Sequence, residues 1–196
     1  MTKPFSQACE NNKDPILEKL KPHLTGCLQL LEIGSGTGQH AVHFAQHLPE
    51  LTWQTADQQM HHEGINAWLA EAQLSNLRPP LALDLHFPWP VKQQYDAIFT
   101  ANTLHIISEQ LVVKLIQGAA KHLKPAGLLF IYGPFNYHGQ YTSTSNERFD
   151  ALLQQRDPRS GIREQTWLVS LAQQHGFTLL EDHQMPANNR LLLFKR

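Results

Sequence analysis

The chain has 196 residues, 16 lysines and arginines against 17 aspartates and glutamates, a net charge of −1 and two cysteines. This length suits one domain, residues 1–196, with a sizeable core, and a balanced charge without a long basic run argues against nucleic acid as a partner. Cys9 and Cys27 form neither a Cys-x-x-Cys pair nor a disulfide framework, and there is no apolar signal core or bilayer-length apolar stretch. A cytoplasmic, reducing location without membrane contact is therefore expected.

In chain order, Asp14 is placed to cap a helix with Pro15 in its first turn and Ile16, Leu17, Leu20 and Leu24 on its apolar face. Pro22 and Gly26 would close it. The polar stretch before it, with Asn11, Asn12 and Lys13, is either simply solvated or lies over a ligand mouth. Residues 1–27 are expected to form an N-terminal segment and helix covering the site. Leu28 to Ile33 reads as a buried strand, Gly34-Ser35-Gly36-Thr37-Gly38 as a tight turn, and the residues through Ala41, Phe44, Ala45 and Leu48 as a helix. A second strand, Thr52 to Ala56, runs into Asp57, and a helix from Glu63 to Leu74 turns Ile65, Trp68, Leu69 and Ala72 inward.

Pro79 and Pro80 are expected to interrupt regular structure before a short third strand, Leu81 to Leu83, ending at Asp84. His86 to Pro90 is a stiff aromatic loop that lines a pocket or seals the sheet edge. Tyr95 to Asn102 is the fourth strand, and Ser108 caps a helix from Glu109 to Leu123. Lys124 to Gly127 reads as a turn, Leu128 to Tyr132 as the fifth strand, and Gly133 to Asn146 as a polar loop at the sheet edge where such folds place ligands. Helices from Asn146 to Gln155 and from Glu164 to His175 follow. The last two strands, Phe177 to Asp182 and Arg190 to Phe194, are joined too tightly for a helical crossover. The expected fold is α/β: a doubly wound, mostly parallel seven-stranded sheet with an antiparallel hairpin at its end.

The glycine spacing is Gly-x-Gly-x-Gly rather than the Gly-x-Gly-x-x-Gly of dinucleotide binders. Glu32 stands two residues before the first glycine and Asp57 at the next strand end. These residues favour a nucleoside-type ligand over a purely structural turn. They resemble the first motif of the class I S-adenosylmethionine-dependent methyltransferases. The resemblance implies S-adenosyl-L-methionine as cofactor. It further implies that Glu32 steadies the turn and the methionine end, and that Gly34, Ser35, Gly36 and Gly38 let main chain approach the ligand. Asp57 with Gln58 would hold the ribose, Asp84 and Leu85 the adenine, and Asn102 the strand-four side of the same crevice.

His105, after the fourth strand, is the candidate general base, the alternative being a packed loop histidine. His40, His43 and His47 share a helix face, but no acidic or cysteine companion is evident and no metal is expected.

A further likeness spans nearly the whole chain. Asn11-Asn12-Lys13-x-Pro15-Ile16, Ala101-Asn102-x-x-His105-Ile106, Gly133-Pro134-Phe135, Ser145-Asn146-x-x-Phe149-Asp150 and Met185-Pro186-Ala187-Asn188-Asn189 resemble a small uncharacterised methyltransferase-like family of bacteria and animals. These peptides lie outside the cofactor motifs, which makes Asn12, Lys13, Tyr137, Asn146, Arg163, Asn188 and Asn189 candidates for the acceptor side.

The reading is a methyltransferase acting on a small-molecule acceptor. Its alternatives are a catalytically silent S-adenosylmethionine-binding interaction protein and an NAD(P)-dependent oxidoreductase. Strand four ends in Ala101-Asn102-Thr103-Leu104, not in the Asn/Asp-Pro-Pro-Tyr/Phe peptide of many amine-methylating enzymes.

Overall fold

The computed structural model describes residues 3–196; Met1 and Thr2, the first residues of the N-terminal segment, lie outside the described residues. Among the described residues six α-helices surround a seven-stranded sheet: α1 (Gln7–Leu20), α2 (Gln39–His47), α3 (His62–Ala72), α4 (Glu109–His122), α5 (Thr144–Arg156) and α6 (Gln165–Gln174). Five strands, β1 (Gln29–Ile33), β2 (Thr52–Asp57), β3 (Leu77–Ala82), β4 (Tyr95–Ala101) and β5 (Leu123–Gly133), run parallel. Two short strands, β6 (Phe135–Asn136) and β7 (Arg163–Glu164), pair with each other outside the main sheet. The chain ends in the antiparallel hairpin of β8 (Thr178–Met185) and β9 (Asn189–Lys195), with β9 inserted beside β5. The sheet order is β3-β2-β1-β4-β5-β9-β8.

Strand alternation divides the core in two. Leu30, Phe99, Phe130 and Tyr132 face a cluster with Ile16, Leu20, Phe44 and Trp53, while Leu31, Ile98, Leu129 and Ile131 face Leu115, Ile116 and Leu168. Successive side chains point to opposite faces, so strands apolar throughout must be covered on both sides.

Several expectations need correction. The first helix starts at Gln7, capped by Ser6, whose Oγ accepts from the Cys9 amide (3.3 Å), so Pro15 lies in the helix interior rather than its first turn. The stripe Asn12, Ile16 and Leu20 is buried at i, i+4 and i+8 and holds the helix through the proline, whose missing N–H would face the exposed Asn11. Pro79 and Pro80 do not interrupt β3 but lie within it. It is an edge strand, where a missing donor faces no partner, and its register with β2 slips between Gln54 and Ala56.

Lys124 to Gly127 is a bulge inside β5 rather than a separate turn. Tyr95 pairs with Leu123 and Ala97 with Leu128, while Ala126 takes a left-handed φ of +62°. In α3 only Ile65 is fully buried; Trp68, Leu69 and Ala72 are half-buried. The segment from Gly133 to Asn146 is no plain loop: it contains β6 and a tight turn whose His138 and Gly139 amides donate to Glu164 (2.7 and 3.1 Å). Trp89 of the aromatic loop stacks on His122 (5.2 Å), so it seals the sheet edge, while Phe87 is exposed.

Candidate functional site

The neighbours of β1 are β2 and β4, so the chain reverses its direction of winding there. Outside the carboxyl ends of these strands opens a cavity of about 910 Å³, within the range of small-molecule and cofactor pockets. Its floor is the glycine turn. All three glycines have left-handed φ, +74°, +57° and +89°, but for different reasons. A Cβ on Gly34 would stand 2.7 Å from Thr103 Oγ1, and one on Gly38 would stand 3.2 Å from Ile65 Cα. Gly38 is thus a packing glycine that lets α2 approach α3, and it does not line the cavity. A Cβ on Gly36 would meet nothing within 4 Å, and Gly36 lines the cavity.

Carboxylates stand beside this bare main chain. Asp57 accepts from the Gly36 amide through Oδ2 (2.7 Å) and from the Gln58 amide through Oδ1 (2.7 Å), fastening the turn while facing the cavity. Asp84, past the end of β3, accepts from the His86 amide and ring through Oδ1 (2.8 Å each), which holds its carboxyl below the usual range. Gly34, Ser35, Gln58, Leu85 and Asn102 line the same cavity, Asn102 at a φ of +56°. Glu32 does not. It is buried beneath the turn, accepts from Trp53 Nε1 (3.1 Å), and desolvation pushes its pKa up to about 7 against the hydrogen bonds from Trp53 and Ser35.

The opposite wall comes from the His105 loop, α5 and the loop before β9. His105, Asn146 and Asn189 line the cavity together with Phe149, whose ring meets His105 edge-on at 5.3 Å. Four successive carbonyls of the loop are held by residues 160–163. Leu104 accepts from Arg163 Nε (3.1 Å), His105 from the Gly161 amide (2.9 Å), Ile106 from Ser160 Oγ (3.0 Å) and Ile107 from the other arm of Arg163. Arg163 is therefore a structural clamp rather than part of the wall.

The other four acceptor candidates are also engaged elsewhere. Asn12 Oδ1 bonds His40 Nε2 (2.6 Å), Lys13 pairs with Glu10, Tyr137 donates to Asp182 (2.8 Å), and Asn188 donates to Ser145 (3.3 Å). None of them lines the cavity. His86, the first residue of the aromatic loop, does line the cavity, whereas sequence reasoning missed Ser6, Ala8 and Cys9 at the start of the first helix, and His40 and Arg159, all of which line it. Reading Ser6 as a helix cap before the Asn12, Ile16, Leu20 stripe would have brought the first three over the cavity.

Of the three histidines of α2, His43 and His47 lie with their rings 4.5 Å apart, and His43 has in Asp14 an acidic neighbour that the sequence did not reveal. His40 stacks on Phe44 (5.3 Å), His43 Nε2 stands 2.9 Å from Asp14, and His47 Nδ1 is 2.8 Å from the His43 carbonyl.

Burial pulls His40 and His105 down to about 4, desolvation being the main cause, with His43 adding to it at the first and Arg163 at the second. Folded pKa values below the unfolded one mean stability that is present above about 6.5 and lost as pH falls toward 4, roughly 3 kcal/mol per histidine. Glu32 has the opposite sign: its raised pKa adds stability as pH falls from about 7 to 4.5. Thermal unfolding between pH 4 and 8 should show His40→Gln with a shallower acid loss than wild type and Glu32→Gln with a steeper one. Parallel curves for the three proteins would refute both assignments.

The fold is the Rossmann-like fold of the class I methyltransferases. The chain superposes on SibL, an S-adenosylmethionine-dependent methyltransferase in its apo form, with a TM-score of 0.81, 22% identity and coverage of 96% of this chain and 55% of that one. It matches an O-methyltransferase family protein from Burkholderia thailandensis with a TM-score of 0.78, 15% identity and 94% and 58% coverage. Human N-acetylserotonin methyltransferase in complex with S-adenosylmethionine matches at 0.77, with 16% identity and 97% and 53% coverage. The chain spans a little over half the length of these proteins. It belongs to the family described as "Protein of unknown function (DUF938)", whose model matches residues 3–196.

Proposed function

We propose that this chain is an S-adenosylmethionine-dependent methyltransferase acting on a small-molecule acceptor, as a single cytosolic domain. The observation that carries the reading is the bare main chain of Gly36, open to the cavity that the carboxylates of Asp57 and Asp84 also line. A nucleoside offers hydroxyl and amine donors to carboxylates at neighbouring strand ends, and charge-assisted hydrogen bonds to carboxylates are about twice as strong as neutral ones. The structural neighbours that carry methyltransferase names support the same reading. Among the described residues no helix is long and apolar enough to cross a membrane.

When bound, the cofactor supplies an electrophilic methyl group on sulfur. The chain's part is alignment in a site that excludes water. Gly36 and Ser35 admit the ligand to the turn, Asp57 accepts from the ribose, and Asp84 with Leu85 frames the base. Glu32 acts from beneath, by holding Ser35 and Trp53. Asn146, Phe149 and Asn189 form the acceptor wall, an aromatic face with two amides.

His105 is the general-base candidate of that wall. Its ring makes no side-chain hydrogen bond among the described residues, and its depressed pKa keeps it neutral, able to accept a proton. A base whose pKa lies well below neutrality is weak, so its largest contribution is to orient an acceptor hydroxyl or amine.

Calorimetry with S-adenosylmethionine and S-adenosylhomocysteine, set against NADH and NADPH, tests the cofactor. Methyl-labelled cofactor with small-molecule fractions of a cell extract tests transfer. Uptake of the sulfur nucleosides with labelling of a small molecule is expected. Uptake of the nicotinamide nucleotides alone would replace the reading with an oxidoreductase, and binding without any transfer would make the chain a silent binding module.

A further inference from the structure

Away from the cavity, two imidazoles and one carboxylate converge at the sheet edge. His23 follows α1, while Glu181 and His183 stand two residues apart on the edge strand β8 and so share one of its faces. Opposite them on β9 are Leu193 and Leu191, which pack with Ile16, Leu20 and Leu24, so this face is the one that α1 covers. The fold therefore brings the histidine after α1 over the other two. Glu181 Oε2 lies 3.3 Å from His23 Nε2 and 2.5 Å from His183 Nε2, and the three ligand atoms lie within 4.8 Å of one another.

We propose that His23, Glu181 and His183 form a site for a divalent transition-metal ion of the zinc class. Metal–nitrogen and metal–oxygen bonds of about 2.0–2.2 Å in a tetrahedron put ligand atoms roughly 3.3 Å apart, which small side-chain rotations reach from the present spacing. Two imidazoles with one carboxylate select zinc, cobalt, nickel or copper over magnesium or calcium, which prefer all-oxygen sets. The side chains are partly exposed, which leaves the fourth position to water. In the described ion pairs Glu181 meets only these two histidines, with no lysine or arginine to compete for its charge.

The ion ties the end of α1 to the free edge of the sheet. None of the three residues lines the cavity, and two elements connect the site to it: α1, about 21 Å long, whose first turn lines the cavity, and the β8–β9 hairpin, where Met185, two residues beyond His183, pairs with the cavity-lining Asn189. Its role is to hold the covering helix in place.

The test uses tag-free full-length protein titrated with Zn²⁺ by calorimetry and with Co²⁺ by visible absorption. One equivalent of either ion, tetrahedral-type Co²⁺ bands and a raised melting temperature are expected. His23→Ala, His183→Ala and Glu181→Gln should each weaken binding at least about tenfold, whereas His47→Ala, at an exposed histidine on α2, should leave it unchanged. Circular dichroism and melting of the metal-free variants show that they fold. Absence of stoichiometric binding, or equal affinity in wild type and His183→Ala, overturns the site. None of these readouts depends on S-adenosylmethionine binding, so this site and the methyltransferase reading fail or stand separately.

Discussion

Asp57→Ala is expected to lower affinity for S-adenosylmethionine by about 10²–10³-fold while leaving the domain folded. Two losses add. The ribose hydroxyls lose a charged acceptor, at about 1.5–3 kcal/mol per hydrogen bond, and each 1.4 kcal/mol is a factor of ten. The Gly36 amide also loses its partner at 2.7 Å, so the turn is no longer held in the shape that admits the ligand. Asp57 is partly exposed at a strand end, and the turn keeps its bonds from Gly34 and Ser35 to the Ala56 carbonyl (2.9 and 3.2 Å), so the cost to folding should be small. Calorimetry and a thermal melt on the same preparation decide it. Unchanged affinity would remove Asp57 from the site and, with it, the central support for the methyltransferase reading.

The three-glycine turn provides the second test, because its glycines are proposed to serve different ends. Gly36→Leu should cost only the left-handed backbone penalty, about 1–2 kcal/mol, since no atom stands in the way, yet it should abolish cofactor binding by filling the cradle. Gly26→Leu is the reference. It carries a φ of +83° and an equally open surrounding at a distance from the turn, so it should lose similar stability with no effect on binding. Gly38→Leu should be the most destabilised, by about 2–5 kcal/mol, because its side chain also collides with the α3 backbone at Ile65. The melting temperatures and affinities of the three variants separate these roles. Equal destabilisation at Gly36 and Gly38, or retained binding in Gly36→Leu, would contradict the division.

Much of this was open to a reader of the residues. The strands announced themselves because a strand covered on both faces is apolar at every position, as in Leu30-Leu31 and Ile98-Phe99, and the short link before Arg190 left room only for a hairpin. The cofactor-side candidates lie within a few residues of strand ends, and a strand end has a fixed place in a parallel sheet. The positions of Asp57, Asp84 and Asn102 at the cavity therefore followed from local pattern plus one topology.

The acceptor side was not legible in the same way. Asn146 and Asn189 reach the cavity, but Asn12, Lys13, Tyr137, Arg163 and Asn188, chosen on the same grounds, bond elsewhere. Arg163 shows why. Whether a buried guanidinium faces a ligand or ties down the carbonyls of Leu104 and Ile107 depends on where β7 docks, and a two-residue strand carries no periodic signal.

By itself, then, the sequence determined the α/β alternation, the antiparallel ending and the carboxylates at the strand tips, because hydrophobic periodicity and glycine conformation act over a few neighbouring residues. Only the tertiary structure decided that α1 begins at Gln7 and lines the cavity, that Gly38 serves packing while Gly36 faces open space, and that His23 meets Glu181 and His183. Each depends on distances between segments far apart in the chain, and those are set by how the whole core packs.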